Sequence, residues 1–235
     1  PDMIAGSAIE TMIAAEAERF AKAKPASAEC ARRTAKHWHR GVPFHWMLDW
    51  GTPFPLFVKE AKGAHLWDLD GQAFDDFCLG DTGAMFGHSP PPIAEAIAHQ
   101  ASRGLTAMLP GEDSVVVGDA LASAFGLPWW QVTSSASEAN RAVIRWCRGI
   151  TGRDKILVFN GCYHGAVDDV FVDLRDGVPE LRRSLVGQVY DVRDHTRVIE
   201  FNDRDALAAA LAPGDVAAVL TEPALTNVGM VLPEA

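Results

Sequence analysis

Three short segments of this sequence carry residue types that could do chemistry. The first is Thr133-Ser134-Ser135-Ala136-Ser137-Glu138-Ala139-Asn140, where hydroxyls and small residues stand between a predicted strand and a predicted helix. Small residues there leave the first N–H groups of the helix open, and hydroxyls with the helix dipole favour an anion such as a phosphate. The same spacing also suits an ordinary serine cap with a glutamate three residues on.

The second is Gly161-Cys162-Tyr163-His164-Gly165, directly after the apolar run Ile156 to Phe159. In an open α/β sheet ligands sit beyond the carboxyl ends of the strands, so Tyr163 could stack on a planar ring there with an imidazole beside it. A structural turn with a packed tyrosine and a hydrogen-bonded histidine is the other reading. The third is Thr221-Glu222-Pro223-Ala224-Leu225-Thr226-Asn227, after another apolar run. Glu222 and Asn227 could offer an acceptor and a donor, although strands also end on polar residues without function. All three segments are expected to follow strands, and parallel strands bring such loops to one rim.

The elements that must position these loops are legible from periodicity. Ile9, Met12, Ile13, Ala17 and Phe20 recur at helical spacing, and Pro25 with Ser27 marks a stop and a new start. Residues 28–40 are polar, basic and compatible with a helix, whereas 41–55 read as irregular coil whose Phe44, Trp46, Trp50 and Phe54 need cover. Residues 56–77 read as short strands turning at Lys62-Gly63 and Asp70-Gly71, a small antiparallel sheet. Pro90 to Pro92 open a helix to about Arg103.

From Glu112 onward helices and strands alternate. Helices are predicted at 115–125, 138–147 and 205–211, and strands at 130–133, 156–159, 170–174, 198–201 and 216–221. Such alternation implies an α/β layer structure with a mostly parallel sheet and flanking helices, preceded by the small antiparallel sheet. Two domains are expected, 1–110 and 111–235. The last predicted strand is followed only by a loose tail, so the doubly wound sheet reads as unfinished.

Bulk properties narrow the partners. A formal net charge of −10 argues against a nucleic-acid partner, which draws its affinity from clustered Lys and Arg. A small molecule fits better. Cys30, Cys78, Cys147 and Cys162 are scattered without CxxC spacing, so neither a metal site nor a disulfide framework is indicated and a reducing cytosol is the expected setting. No apolar run is long enough to span a bilayer, and the opening residues lack a signal peptide's order. No G-x-G-x-x-G follows any predicted strand, which makes a nicotinamide-binding dehydrogenase a remote reading.

At the three loops the sequence resembles the class III aminotransferases, the family that includes glutamate-1-semialdehyde aminomutase and β-amino-acid aminotransferases. The resemblance runs from about Pro53 to the end. Gly63-Ala64-His65-Leu66-Trp67-Asp68-Leu69-Asp70-Gly71 is similar to the family's early hairpin, Gly87-His88-Ser89-Pro90 to its next landmark, and Ser135 to Asn140 to its phosphate-binding Ser-Gly-Thr-Glu-Ala-Asn. Gly152-Arg153-Asp154-Lys155, Gly161 to Gly165, and Glu222-Pro223 with Asn227 and Gly229 follow in the family's order.

The resemblance implies fold type I and pyridoxal 5'-phosphate as cofactor. It implies that Ser135, Ala136 and Ser137 hold the cofactor phosphate, that Tyr163 stacks on the pyridine ring with His164 beside it, that Glu222 supports the site from behind, and that Asn227 approaches the ring's phenolic oxygen. Trp46 and Thr82 are the candidate substrate contacts. Ala136 replaces the family's usual Gly, and Thr82 stands where aminomutases have a Trp, which counts against an aminomutase. The Asp that pairs with the pyridinium nitrogen and the Schiff-base Lys are expected beyond Ala235, since Lys59, Lys62 and Lys155 match no such position. The chain by itself is therefore expected to contain no catalytic lysine and to run no turnover.

The expected activity of the whole protein is transfer of an amino group from an amine or amino acid to an oxo acid or aldehyde. An aminomutase, which keeps the amino group within one substrate, and a non-catalytic ligand-binding fragment are the alternatives. The family implies a homodimer, and the aromatics of 41–55 suit burial against a second copy.

Overall fold

The computed structural model describes residues 6–81 and 83–234. The chain divides into two compact units, 1–110 and 111–235.

The first unit opens with helices α1 (Gly6–Ala23) and α2 (Pro25–Thr34), separated by Lys24. Pro25 sits where a helix leaves its first N–H groups without partners, so its missing donor costs nothing. Strands β1 (Val58–Lys62), β2 (His65–Asp68) and β3 (Ala73–Asp75) form the small antiparallel sheet in that order, and α3 (Pro91–Ala101) follows.

The Asp70-Gly71 turn between β2 and β3 reaches back to the helices. Asp70 accepts from the N–H groups of Ala26 (2.7 Å) and Ser27 (3.1 Å), capping α2 from across the sequence. Next to it the buried Lys24 ammonium meets the fully buried Asp68 carboxylate and donates to Gln72 Oε1 at 2.5 Å. Asp76 in turn binds His88 Nε2 at 2.6 Å and accepts from the N–H groups of Cys78 and Leu79. It thereby fixes the start of the loop that leads to Thr82, a residue outside those described.

A 3-10 turn, His39–Gly41, leads into residues 42–55, which are irregular except for a second short 3-10 turn, His45–Leu48. Phe54 packs on Phe20 with ring centroids 5.1 Å apart, but Phe44, Trp46 and Trp50 stay exposed, as does the α1 stripe of Ile9, Met12 and Ile13.

The second unit contains α4 (Asp113–Phe125), α5 (Ala136–Thr151), β4 (Lys155–Phe159), β5 (Val172–Arg175), β6 (Val178–Leu181), β7 (Thr196–Ile199), α6 (Arg204–Leu211) and β8 (Val216–Val219). Strands β7, β4 and β8 form a parallel sheet in that order, with β4 central. Its continuous apolar run follows from burial on both faces. Ile156 and Val158 pack with Ile144 of α5 and with Val167 and Val170, while Leu157 and Phe159 pack with Ile199, Val216 and the Ala206, Leu207 and Ala210 side of α6. Among the described residues no helix is long and apolar enough to cross a membrane.

Two expectations are corrected. Residues 130–133 form no strand. Trp130 instead packs on Phe125 at 5.3 Å and donates from Nε1 to the Leu127 carbonyl at 2.9 Å, and Val132 is largely exposed. Strand propensity alone does not make a strand, because the ladder needs a neighbour and none of the described strands offers one here. The segment predicted at 170–174 does form a strand, β5, but it lies outside the parallel sheet and pairs antiparallel with β6. Asp176-Gly177, both at positive φ (51° and 77°), make the tight turn between them, the geometry that matches the right-handed twist of a hairpin.

Candidate functional site

The site is built from three loops of the second unit. Two follow adjacent parallel strands: Gly161 to Gly165 after β4, and Glu222 to Gly229 after β8. The third, Ser135 to Ser137, arrives without a preceding strand and is positioned by α5.

Helix α5 begins with the serine cap formed and with further N–H groups of its first turn left beside it. Ser135 is the N-cap and its hydroxyl accepts from Glu138 N–H at 3.3 Å, while the Glu138 carboxylate accepts from Ser134 N–H at 2.9 Å, a capping box shifted by one residue. The N–H groups of Ala136 and Ser137 lie in the first turn, where no helical carbonyl can accept them, and among the described residues they have no protein partner. They remain open to an anion. Ala136 takes ordinary helical geometry, so a methyl in place of hydrogen strains nothing in the backbone.

Ser137 joins this loop to the second. Its Oγ accepts from Ala166 N–H at 3.0 Å, which leaves the hydroxyl proton free to donate. Gly165, at φ +80°, passes so close that a Cβ there would overlap Ser137 Oγ and lie 3.2 Å from Ser137 Cα. Asn140, one turn further along α5, donates to the His164 carbonyl at 2.9 Å.

The second loop meets the third in the same manner. Tyr163 N–H donates to Glu222 Oε1 at 2.8 Å, and Glu222 Oε2 accepts from Thr226 N–H (3.3 Å) and Thr226 Oγ1 (3.0 Å). Burial works against the charged Glu222, but those three donors and the His164 imidazole outweigh it and hold the carboxyl below its ordinary value. Asn227 is exposed in the 3-10 turn Thr226–Val228, which rests on Gly161: a Cβ at Gly161 would lie 2.6 Å from Val228 Cγ1.

Tyr163 itself is 58% exposed and offers its ring, while His164 is buried and its Nε2 has no hydrogen-bond partner among the described residues. Burial lowers the affinity of His164 for a proton below that of an ordinary histidine, with Glu222 only partly offsetting it. An open pair of N–H groups with a free hydroxyl, an uncovered aromatic face and a buried imidazole with one nitrogen, Nε2, still to be bonded together suit a phosphorylated aromatic ring. The chain's residues fit that class of ligand.

Of the candidate residues, Ser135, Ala136, Ser137, Tyr163, His164, Glu222 and Asn227 share this cluster of loops. Trp46 lies in the first unit, stacked on Phe44 at 5.6 Å, and Thr82 is outside the described residues. Lys155 sits at the opposite end of β4 and donates to the Asp194 carbonyl, away from the loops. Two further residues join the site without a signal in the sequence: Asn140, whose side chain fastens the second loop to α5, and Arg182. Arg182 comes from the hairpin that replaces the expected parallel strand, and its side chain donates to the Cys162 carbonyl.

Comparison with known proteins matches residues 47–235 to the family model "Aminotransferase class-III". A curated relative named glutamate-1-semialdehyde 2,1-aminomutase, from Methanothrix thermoacetophila, is 36% identical over 187 residues, covering 77% of this chain and 43% of that protein. Among solved structures, a glutamate-1-semialdehyde-aminomutase from Pseudomonas aeruginosa PAO1 is 54% identical with a TM-score of 0.92, over 96% of this chain and 50% of that one. A variant of that protein was solved in complex with PMP. An omega-transaminase from Sphaerobacter thermophilus is 28% identical with a TM-score of 0.80, over 92% of this chain and 51% of that one. The chain thus spans about half the length of the proteins it matches.

Proposed function

Since the chain belongs to the class III aminotransferases, pyridoxal-phosphate-dependent enzymes of fold type I, we propose that its three joined loops hold the cofactor in an enzyme that relocates amino groups. The observation that carries this reading is the chain of direct bonds from Ser137 through Ala166 and from Tyr163 to Glu222, which draws all three loops together. In this reading the N–H groups of Ala136 and Ser137, with the Ser137 hydroxyl and the exposed Ser135, take the phosphate. Tyr163 covers one face of the ring, His164 lies behind that face, and Asn227 approaches the phenolic oxygen. The bound cofactor supplies an electron sink for charge released at the substrate carbon. The protein's part is to orient the ring and to keep its anionic phosphate in a fixed, donor-lined seat.

Between the two reactions open to such an enzyme, an aminomutase of the glutamate-1-semialdehyde type is the better supported. The relatives at 36% identity and the solved structure at 54% carry that name, whereas the omega-transaminase structure stands at 28%. The second reading, transfer between two different molecules, is favoured by Thr82 in the place where the resemblance puts a Trp in aminomutases. Incubation of the protein carrying this chain with glutamate 1-semialdehyde and no second amine or oxo compound decides between them. An aminomutase returns the same molecule with its amino group moved to the neighbouring carbon; a transaminase turns over only when a labelled donor and a separate acceptor are both present, and moves the label.

A homodimer in a reducing cytoplasm completes the proposal. Its support is the exposure of Phe44, Trp46 and Trp50 on one segment and four cysteines without disulfide partners.

A further inference from the structure

The peptide group between Cys162 and Tyr163 is gripped at both ends by opposite charges. Its N–H, on Tyr163, donates to Glu222 Oε1 at 2.8 Å, and its carbonyl, on Cys162, accepts from Arg182 Nη2 at 2.7 Å. A carboxylate on the N–H side and a guanidinium on the C=O side both align with the dipole of this one peptide, and charge-assisted bonds of this kind are stronger than neutral ones.

Arg182 is itself held on three sides. Its Nε donates to Asp173 Oδ1 at 2.7 Å, its guanidinium carbon lies 5.6 Å from the centroid of the Phe171 ring, and its backbone N–H donates to the Phe171 carbonyl at 3.0 Å. The side chain is 16% exposed and its partner Asp173 27%. The β5–β6 hairpin therefore delivers a fixed cation to the back of the loop whose front presents Tyr163. The ring of Tyr163 is mostly uncovered, so little packing restrains it and its aim depends on the backbone that carries it.

We propose that Arg182 is a positioning residue for Tyr163: with Glu222 it locks the 162–163 peptide plane and so sets the tilt at which the tyrosine ring meets its ligand. This rests on the reading that Tyr163 covers the cofactor ring. It predicts that the hairpin, whose Arg182 reaches the loop at this peptide, tunes cofactor binding.

The test uses the protein carrying this chain, with Arg182→Gln, Arg182→Lys, Asp173→Asn and Tyr163→Ala. Three quantities are measured: amide exchange at Tyr163 in the cofactor-free protein, the dissociation constant of pyridoxal phosphate, and the circular dichroism that the site induces in the cofactor's visible band. R182Q is expected to speed exchange at Tyr163 and weaken the cofactor roughly tenfold, as loss of one charge-assisted bond implies. It should also diminish the induced dichroism, with R182K restoring part of each and D173N falling between. Where R182Q does not fold, R182K and D173N give the same ordering in smaller steps. If Y163A weakens the cofactor but none of the Arg182 or Asp173 variants alters affinity or dichroism, the positioning role is wrong and the cofactor reading stands. If Y163A itself leaves cofactor binding unchanged, the reading beneath the proposal fails.

Discussion

Ser137 Oγ accepts the Ala166 N–H at 3.0 Å across the one place where the intervening residue, Gly165, has no side chain. The two segments touch only because that Cβ is absent. Gly165→Ala would press a methyl into Ser137 at a backbone φ of +80°, and moving the hydroxyl would not relieve it because Ser137 Cα is also close. A loss of about 2–3 kcal/mol in unfolding free energy is expected from the combined strain and overlap. Denaturant melts of the variant check this, with Ser137→Ala in the same background expected to recover only part of the loss.

Ser137→Ala alone removes an acceptor for Ala166 and a donor for the phosphate. Since the two roles use different atoms of the hydroxyl, both should fail together. Stability is expected to fall by about 1 kcal/mol and the pyridoxal phosphate dissociation constant to rise roughly tenfold. Ser135→Ala should differ, because the Ser135 hydroxyl is engaged as the cap of α5: about 1 kcal/mol of stability is lost with a smaller change in cofactor affinity. Unfolding curves and cofactor titrations of the two variants side by side separate cap from cradle.

Glu222→Gln keeps the shape and removes the charge. Glu222 uses both oxygens as acceptors, one toward Tyr163 and one toward Thr226, and an amide has only one acceptor to offer. One of the two segments is expected to come loose, with faster amide exchange at either Tyr163 or Thr226 but not both. Glu222→Asp, too short to span them, should free both.

His164 gives a pH dependence whose sign follows from burial. Its proton affinity is lowered in the folded protein from the ordinary histidine value of 6.5, so above 6.5 folded and unfolded chains are both neutral at this position and its contribution is fully present. As the pH falls below 6.5 the unfolded chain takes up a proton that the folded one resists, and stability declines. A histidine proton resonance titrating below 6.5, and a stability slope just below that pH that becomes shallower in His164→Asn, are the expected results.

In the first unit the buried Lys24–Asp68 pair ties the α1–α2 junction to the β2–β3 turn. Lys24→Met removes one partner and leaves a carboxylate in the interior, a change expected to cost about 3–5 kcal/mol. Limited proteolysis should cut first near residue 24 in the variant. The double variant Lys24→Met with Asp68→Leu should recover a substantial share of that loss.

The helices, the central strand β4 and the loops that follow β4 and β8 are legible because each depends on local pattern. Ile156 to Phe159 form an uninterrupted apolar run, and Ser135 with Glu138 makes its cap without help from elsewhere. The strand expected at 130–133 failed for a reason no local pattern holds: Trp130 found Phe125, and no described neighbour supplied a ladder. β5 was recognised as a strand but misplaced, since Val172 to Leu174 suit a hairpin as well as a parallel sheet and the Asp176-Gly177 turn decides between them. Arg182 was invisible for the same reason, as its partner Cys162 lies 20 residues away and is reached only once that hairpin has folded.

The uncovered aromatics have a practical corollary. Apart from the half-covered Trp67, every one of the seven tryptophans is at least 39% exposed, so the intrinsic emission of the lone chain should resemble that of indole in water. Whatever covers Trp46 and Trp50 will shift that emission to the blue, which makes the protein its own optical gauge of assembly without any added dye.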